Sequence, residues 1–224
     1  MNVHSPAARG LMPDSSAPVP RGDEILDQIR GTFAVKGFDG ASMQDLARAA
    51  GMSVGNFYRY FPSKAAIVEA IVRRDLEGVE RDFAAVVSSD DPMARLREIL
   101  RYRIEVELCE EDAPLWAEIT AMAHRNPEIA GICERMETEI RRAFLGIFAR
   151  VTGQPPAESE ARFAAHAAFL VMLVRAWALD WPQKRAGAVE LKSLLLRSID
   201  ATLDEVARCE AQGASKARGL PCGA

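Results

Sequence analysis

The sequence predicts an all-α protein in which a three-helix N-terminal domain with a helix-turn-helix precedes a larger C-terminal helical bundle. Apolar residues recur every three to four positions through most of the 224 residues, and no stretch alternates apolar and polar residues as a strand would. Capping residues, prolines and glycines divide this periodic pattern into separate helices. The stretch from Ser42 to Lys64 contains two short helices joined by a tight turn.

Four segments are expected along the chain. Residues 1–21 contain four prolines and few large apolar groups, which is typical of a disordered arm. Residues 22–64 form the helix-turn-helix domain, residues 65–210 form the helical bundle, and residues 211–224 form a flexible tail. The first helix of the domain begins at Asp23 and ends at Gly37, and its Ile25, Leu26, Ile29 and Phe33 face the core.

Local signals define the two helices of the helix-turn-helix. Ser42 and Asp45 make a capping box at the start of the first, and Gly51 supplies the left-handed residue at which that helix stops. Ser53 caps the second helix, and Pro62 ends it, because the residue before a proline avoids the α conformation.

The second of these helices presents chemistry that suits a DNA major groove. Phe57 and Phe61 lie four residues apart and should be buried, which leaves Asn56, Tyr58, Arg59 and Tyr60 facing outward. Asparagine pairs with adenine edges, arginine pairs with guanine, and tyrosine hydroxyls reach phosphates. Gly55 would let the backbone approach another surface closely. A purely structural helix pair with surface Tyr and Arg is the alternative, since such helices are common.

Residues 25–64 resemble the N-terminal domain of the tetracycline-repressor (TetR) family of bacterial transcriptional regulators. The resemblance rests on GFDGASMQDLARAAGMSVGNFYRYFPSK, and above all on its end, YRYFPSK. It implies that Ser42, Tyr58 and Lys64 meet phosphates and that the helix after Ser53 enters the groove. Gly31 inside the first helix and Asn56, where the family has more often a small hydroxyl residue, depart from the pattern. The full set of expected DNA-binding residues is Ser42, Gln44, Ser53, Gly55, Asn56, Tyr58, Arg59, Tyr60 and Lys64.

Six further helices are expected after Lys64. They comprise a long helix to Val87, one starting near Pro92, one around Leu115–Met122, one from Pro127 to Thr152, one over 157–181 and one over 189–206. The fifth is apolar nearly all round, so a second subunit is its simplest cover. A four-helix interface with a symmetry mate is therefore expected, and its residues are Phe163, Leu170, Val174, Leu191, Leu195 and Ile199.

The TetR resemblance also implies that the large C-terminal body binds a small effector. Polar or aromatic groups on inward stripes are the candidates: Arg103, Trp116, Glu118, Met122, His166, Phe169, Met172 and Trp177. Their mainly apolar character favours a hydrophobic or amphipathic effector. Each has a structural alternative, because Arg103 can pair with Glu107 and the others can be ordinary core or interface residues.

Composition and motifs narrow the functional classes. The net charge is −4, yet the seven charged residues of 41–74 give +3, so a small basic site accompanies an acidic body. The four scattered cysteines predict neither a zinc site nor a disulfide framework, and the absence of an apolar leader or an uninterrupted apolar span predicts a cytoplasmic protein. No catalytic motif, metal site or cofactor site is expected. A ligand carrier or enzyme with a vestigial helix-turn-helix, a protein-binding adaptor dimer, and an activator in place of a repressor remain alternatives.

Overall fold

The computed structural model describes residues 21–107, 113–179 and 187–218, and within these ranges it contains helices and turns but no strand. The helices are α1 (Arg21–Gly40), α2 (Met43–Ala49), α3 (Val54–Tyr60), α4 (Lys64–Val87), α5 (Pro92–Tyr102), a π-helical turn (Arg103–Glu107), α6 (Ala113–Ala123), α7 (Pro127–Thr152), α8 (Pro156–Leu179) and α9 (Ala188–Arg218). The all-α prediction is confirmed.

The chain folds into two compact units. The first contains the described residues of Met1–Val79 and Cys109–Glu137, and the second contains those of Glu80–Leu108 and Thr138–Ala224. Helices α4 and α7 contribute residues to both units. The first unit thus includes α6 and the start of α7 in addition to the three N-terminal helices. The sequence patterns gave no sign of this grouping, because it depends on contacts between residues far apart in the chain.

The first unit has one continuous hydrophobic core. Phe33, Leu46 and Phe57, from α1, α2 and α3, are fully buried in it. Helix α6 adds Leu115, Ile119 and Met122 to the same core, and α7 adds Ile129 and Ile132. The three-helix domain is therefore sealed on one side by α6, whose apolar residues cover surface that three short helices would otherwise leave exposed to water.

The second unit is held by aromatic packing and by ion pairs. Phe83 of α4 packs edge-on against Phe144 of α7, and Phe148 packs against Phe163 of α8. Helices α5 and α9 are linked by Arg97 and Arg101, which both reach Asp200. The Arg97 guanidinium also bonds Asp204. These pairs are partly exposed, so they add less to stability than the aromatic core does.

Helix boundaries follow the sequence signals closely. Asp91 caps α5 ahead of Pro92, and the Asn126 side chain accepts from the Glu128 amide beside Pro127. Helix α9 differs from expectation, since it continues to Arg218 through residues expected to be a tail. A single Gly213 in this stretch costs only about 1 kcal/mol relative to alanine, which is too little to end a long helix. The expected arm, residues 1–20, and residues 219–224 lie outside the described residues.

Helix α8 is long and apolar enough to cross a membrane by length and composition alone. Core helices of soluble proteins meet the same criterion, and α8 buries Phe163, Ala167, Leu170 and Trp177 inside the second unit. Among its other large apolar residues, Phe169 and Met172 are exposed, and Val171, Leu173, Val174 and Leu179 are half-buried.

Candidate nucleic-acid interface

The first helix of the helix-turn-helix is fixed by a complete capping box. The Asp45 amide donates to the Ser42 hydroxyl at 3.1 Å, and the Ser42 amide donates to the Asp45 carboxylate at 3.1 Å. The Ser42 hydroxyl in turn donates to the same carboxylate at 2.6 Å. The Ser42 proton is thus already engaged, so a phosphate contact by this side chain would require it to turn away from Asp45.

Asp45 is also the centre of a charged cluster on the exposed side of α2. Lys36 of α1 lies 2.8 Å from its carboxylate, and Arg48 lies 3.5 Å away. The hydrogen bond from Lys36, followed by those from Ser42, holds the pKa of this carboxyl well below its usual range. The carboxylate therefore stays ionised and ties the end of α1 to the start of α2.

The turn and the start of α3 form as the sequence predicts. Gly51 has a φ of 63°, in the left-handed region that favours glycine. Ser53 caps α3 by accepting from the Asn56 amide at 3.3 Å. Phe57 is fully buried and Phe61 is nearly so, with ring centroids 5.5 Å apart. These two rings fix which side of α3 faces the core.

The other sides of α3 are open to solvent. Tyr58 and Tyr60 are 46% and 39% exposed, and Arg59 and Gly55 are also exposed, while Asn56 is half-buried. On α2, Gln44 and Arg48 are exposed one turn apart. Arg48 is not among the residues predicted from the sequence, although its spacing from Gln44 places both on one face. Together these groups form a surface with hydroxyl, amide and guanidinium donors.

Lys64 makes contacts within the chain that the family resemblance does not imply. Its ammonium donates to the Phe38 carbonyl at 2.6 Å and to the Asp39 carbonyl at 3.2 Å, and it lies 5.2 Å from the centroid of the Phe38 ring. A lysine ammonium has three protons, so one remains for a phosphate. Lys64 consequently links the start of α4 to the end of α1 and is also a candidate DNA contact.

The residues expected to bind an effector do not form a single cluster. Trp116, Glu118 and Met122 belong to the first unit, where Met122 is buried in the core and Glu118 accepts from the Phe38 amide. In the second unit, Phe169 and Met172 lie on the surface of α8. Met122 is thus corrected to a core residue, because its side chain is used to seal α6 against the N-terminal helices.

Two of these candidates do converge in the second unit. The Arg103 guanidinium pairs with the buried Asp82 at 2.5 Å. The Trp177 indole N–H donates to the Ile104 carbonyl at 3.0 Å. Both contacts hold the π-helical turn that begins at Arg103. His166 lies elsewhere on α8, where its ring contacts Glu205 at 3.2 Å and meets Phe163 edge-on.

Four of the six expected dimer contacts are core residues of a single chain. Phe163, Leu170 and Ile199 are 1%, 0% and 2% exposed, and Leu195 is also buried. They cannot meet a partner, because α8 and α9 already cover them within the second unit. Val174 is half-buried and Leu191 is exposed. The outward apolar residues are instead Phe169 and Met172 on α8 and Leu191 and Leu194 on α9.

This geometry defines the chain as a helix-turn-helix protein with a second, all-helical unit. Residues 25–71 match the family model described as "Bacterial regulatory proteins, tetR family". The match covers the helix-turn-helix domain, which is of the TetR type.

Individual relatives cover different parts of the chain. The transcriptional regulator RutR of Escherichia coli (strain K12) is 34% identical over 82 residues, which span 37% of this chain and only 39% of RutR. The structure of Salmonella enterica GusR is 25% identical, covers 86% of this chain and all of its own, and superposes with a TM-score of 0.67. AibR, solved with isovaleryl coenzyme A and operator DNA, is 19% identical, covers 80% of this chain and 98% of its own, and gives a TM-score of 0.54, a likeness of fold.

Proposed function

We propose that the protein is a transcriptional repressor that binds a palindromic DNA operator as a homodimer in the cytoplasm and is released by a small hydrophobic or amphipathic effector. The observation that carries the proposal is α3, which buries Phe57 while Tyr58, Arg59 and Tyr60 are exposed beside a glycine. A helix that exposes such side chains next to a second capped helix suits a major groove. RutR bears the name of a transcriptional regulator, and AibR was solved on operator DNA.

The residues of the surface divide into two roles. Tyr58 is expected to meet phosphates, so Tyr58→Ala should weaken binding to all DNA sequences and reduce its salt dependence. Asn56 and Arg59 are expected to read bases, so replacing either by alanine should change sequence preference and cost about 1–3 kcal/mol at one base position.

DNA selection followed by binding titrations separates these roles. Operator sequences are first selected with the unmodified protein, and each variant is then titrated with the selected DNA and with single-base variants of it. Arg142→Ala is the matched control for Arg59→Ala, because Arg142 is exposed on α7 in the second unit and its loss changes the net charge equally. An unchanged base preference in Asn56→Ala and Arg59→Ala would contradict their assignment as base readers.

We propose that the effector binds in the second unit near the π-helical turn. π-helical turns occur frequently at functional sites. Here the turn is flanked by the Arg103–Asp82 pair and by Trp177, which offer a charged and an aromatic group close together. A panel of straight-chain fatty acids titrated into the protein–DNA complex tests this. Release of DNA should be accompanied by a change in tryptophan fluorescence, and Trp177→Phe should abolish that change. If Trp177→Phe shows the same fluorescence change as the unmodified protein, the effector binds elsewhere.

The proposed dimer uses the outward apolar residues of α8 and α9. Phe169 and Met172 lie three residues apart on α8, and Leu191 and Leu194 have the same spacing on α9. Exposed apolar groups in such an arrangement are typical of a surface that another subunit covers. A dimer would also supply the two recognition helices that a palindromic operator requires.

A further inference from the structure

The corner between α1 and α2 has an unusual backbone conformation. Gly37 has φ 67° and ψ 169°, a region that is essentially restricted to glycine, and it interrupts the helix between Lys36 and Phe38. The Ala41 amide donates back to the Gly37 carbonyl at 3.1 Å and closes the turn directly before the Ser42 cap of α2. The conformation of this corner therefore sets the direction in which α2 leaves α1.

Two side chains from distant parts of the chain hold this corner. The Glu118 carboxylate of α6 accepts from the Phe38 amide at 3.3 Å. The Lys64 ammonium of α4, which carries the opposite charge, donates to the Phe38 and Asp39 carbonyls. An anionic acceptor thus faces the amide and a cationic donor faces the carbonyls, so each charge meets the backbone dipole that it stabilises.

The contact with Glu118 leaves little spare room. A Cβ atom placed on Gly37 would lie 3.3 Å from the nearer Glu118 carboxylate oxygen, which is closer than ordinary van der Waals contact. The Phe38 ring stacks on Phe33 with centroids 5.3 Å apart and is itself buried. Leu115 and Ile119 anchor α6 in the same core. The backbone that carries Glu118 is therefore fixed relative to the α1–α2 corner.

We propose that Glu118 is a positioning residue for the DNA-reading helices. By accepting the Phe38 amide it fixes the α1–α2 corner relative to α6, and through the shared core of Phe38, Leu46 and Phe57 it fixes the direction of α3. This role rests on the proposed DNA-binding function. It differs from the effector contact that the sequence suggested for Glu118, because the carboxylate is already used within the N-terminal unit.

The test compares three variants of the full chain. Glu118→Ala removes the acceptor, and Glu118→Gln removes the charge but keeps an oxygen that can accept the Phe38 amide. Arg125→Ala, in the turn after α6, is the control, because the pair of Arg125 with Asp39 is 3.5 Å long, largely exposed and contributes little. Thermal melts first establish a temperature at which all variants are folded. Hydrogen exchange of individual amides by NMR and anisotropy titrations with the selected DNA are then measured at that temperature.

Glu118→Ala should raise the exchange rate of the Phe38 amide about tenfold and weaken binding to the selected DNA about tenfold, as expected for loss of one charge-assisted hydrogen bond. In Glu118→Gln the exchange rate and the DNA affinity should both stay within about threefold of those of the unmodified protein. In Arg125→Ala both values should equal those of the unmodified protein. A residue that acts only on global stability would not change DNA affinity at a temperature where every variant is folded.

Two results would overturn the positioning role. One is a Glu118→Ala protein whose Phe38 amide exchange rate and DNA affinity equal those of the unmodified protein. The other is a Glu118→Gln protein whose DNA affinity and Phe38 exchange rate change as much as those of Glu118→Ala. The exchange measurement needs no DNA. If the unmodified protein bound no DNA at all, the proposed function would fail while the exchange rates still tested whether Glu118 holds the corner.

Discussion

At the scale of single residues, two glycines of α1 have opposite roles. A Cβ atom on Gly31 would meet nothing within 4 Å, whereas Gly37 has a positive φ and a Cβ atom on it would lie 3.3 Å from a Glu118 carboxylate oxygen. The sequence marks both only as interruptions of a helix. It predicts correctly that the helix breaks at Gly37. It cannot reveal the hydrogen bond between the Phe38 amide and Glu118, which lie eighty positions apart.

The first prediction compares the two glycines. Gly31→Ala should raise the free energy of unfolding by up to about 1 kcal/mol, because alanine is the better helix former and its side chain fits. Gly37→Ala should lower it by about 1–3 kcal/mol, because the backbone is strained and the methyl group crowds Glu118. Urea unfolding followed by circular dichroism measures both. A stabilised Gly37→Ala protein would show that the corner does not need glycine.

The second prediction concerns the Asp45 cluster. The pKa of Asp45 in the folded protein lies below its ordinary value of 3.8, so its ionised form stabilises the fold above that pH. This contribution is lost as the pH falls below 3.8 toward the folded value, since the carboxyl is then protonated in the unfolded chain first. The stability difference between the unmodified protein and Asp45→Asn should therefore be constant from pH 7 to about pH 5 and shrink at lower pH. Urea titrations across this range measure the difference, and one that grows on acidification would contradict the lowered pKa.

At the scale of elements, helix caps and turns could be predicted well from the sequence. Which side of each helix is buried could be predicted less well. Ser42, Gly51, Ser53 and Asn126 act as expected because capping depends on residues within four positions of each other. The prediction that Phe163 and Leu170 of α8 face a partner subunit was wrong, because both are buried within the chain. The sequence of a helix that is apolar nearly all round does not indicate which side packs against the rest of its own chain. Only the packed structure distinguishes those residues from Phe169 and Met172.

The third prediction concerns α3. Gly55 lies in the first turn of α3, and a Cβ atom there would meet nothing within 4 Å. Gly55→Ala should therefore leave the fold equally or more stable, by up to about 1 kcal/mol. It should nevertheless weaken DNA binding about tenfold or more if the backbone of α3 approaches the groove closely. Anisotropy titrations with selected DNA measure the change, and Gly31→Ala serves as the control with the same chemistry outside α3. Equal affinity in both variants would mean that Gly55 does not lie at the DNA surface.

At the scale of the whole molecule, the family and the all-helical architecture were accessible from the sequence, whereas the division into units was not. The pattern YRYFPSK points to the family because its residues are contiguous. The inclusion of α6 in the first unit depends on Leu115, Ile119 and Met122 packing against residues of α1, α2 and α3. Long-range packing of this kind leaves no local pattern in a single sequence.

The fourth prediction tests the proposed dimer. Met172→Glu should yield folded monomers, because an uncompensated charge inside an interface costs about 3 kcal/mol or more, roughly a hundredfold in the dimer Kd. Leu170→Glu, two positions away but fully buried, should instead unfold the second unit. Light scattering after gel filtration and circular dichroism distinguish the two outcomes. A Met172→Glu protein that remains dimeric would move the interface to another surface.

The central claim is that this protein reads DNA sequence as a dimer. Selection of bound sequences from a random double-stranded DNA library, with the purified protein at moderate salt, tests it most directly. We expect enrichment of a palindrome whose half-sites are separated by about one helical turn or a multiple of it, with base preferences that change in Arg59→Ala. A folded dimer that enriches no sequence would contradict sequence-specific DNA binding and would favour a ligand carrier that has kept the helix-turn-helix without its function.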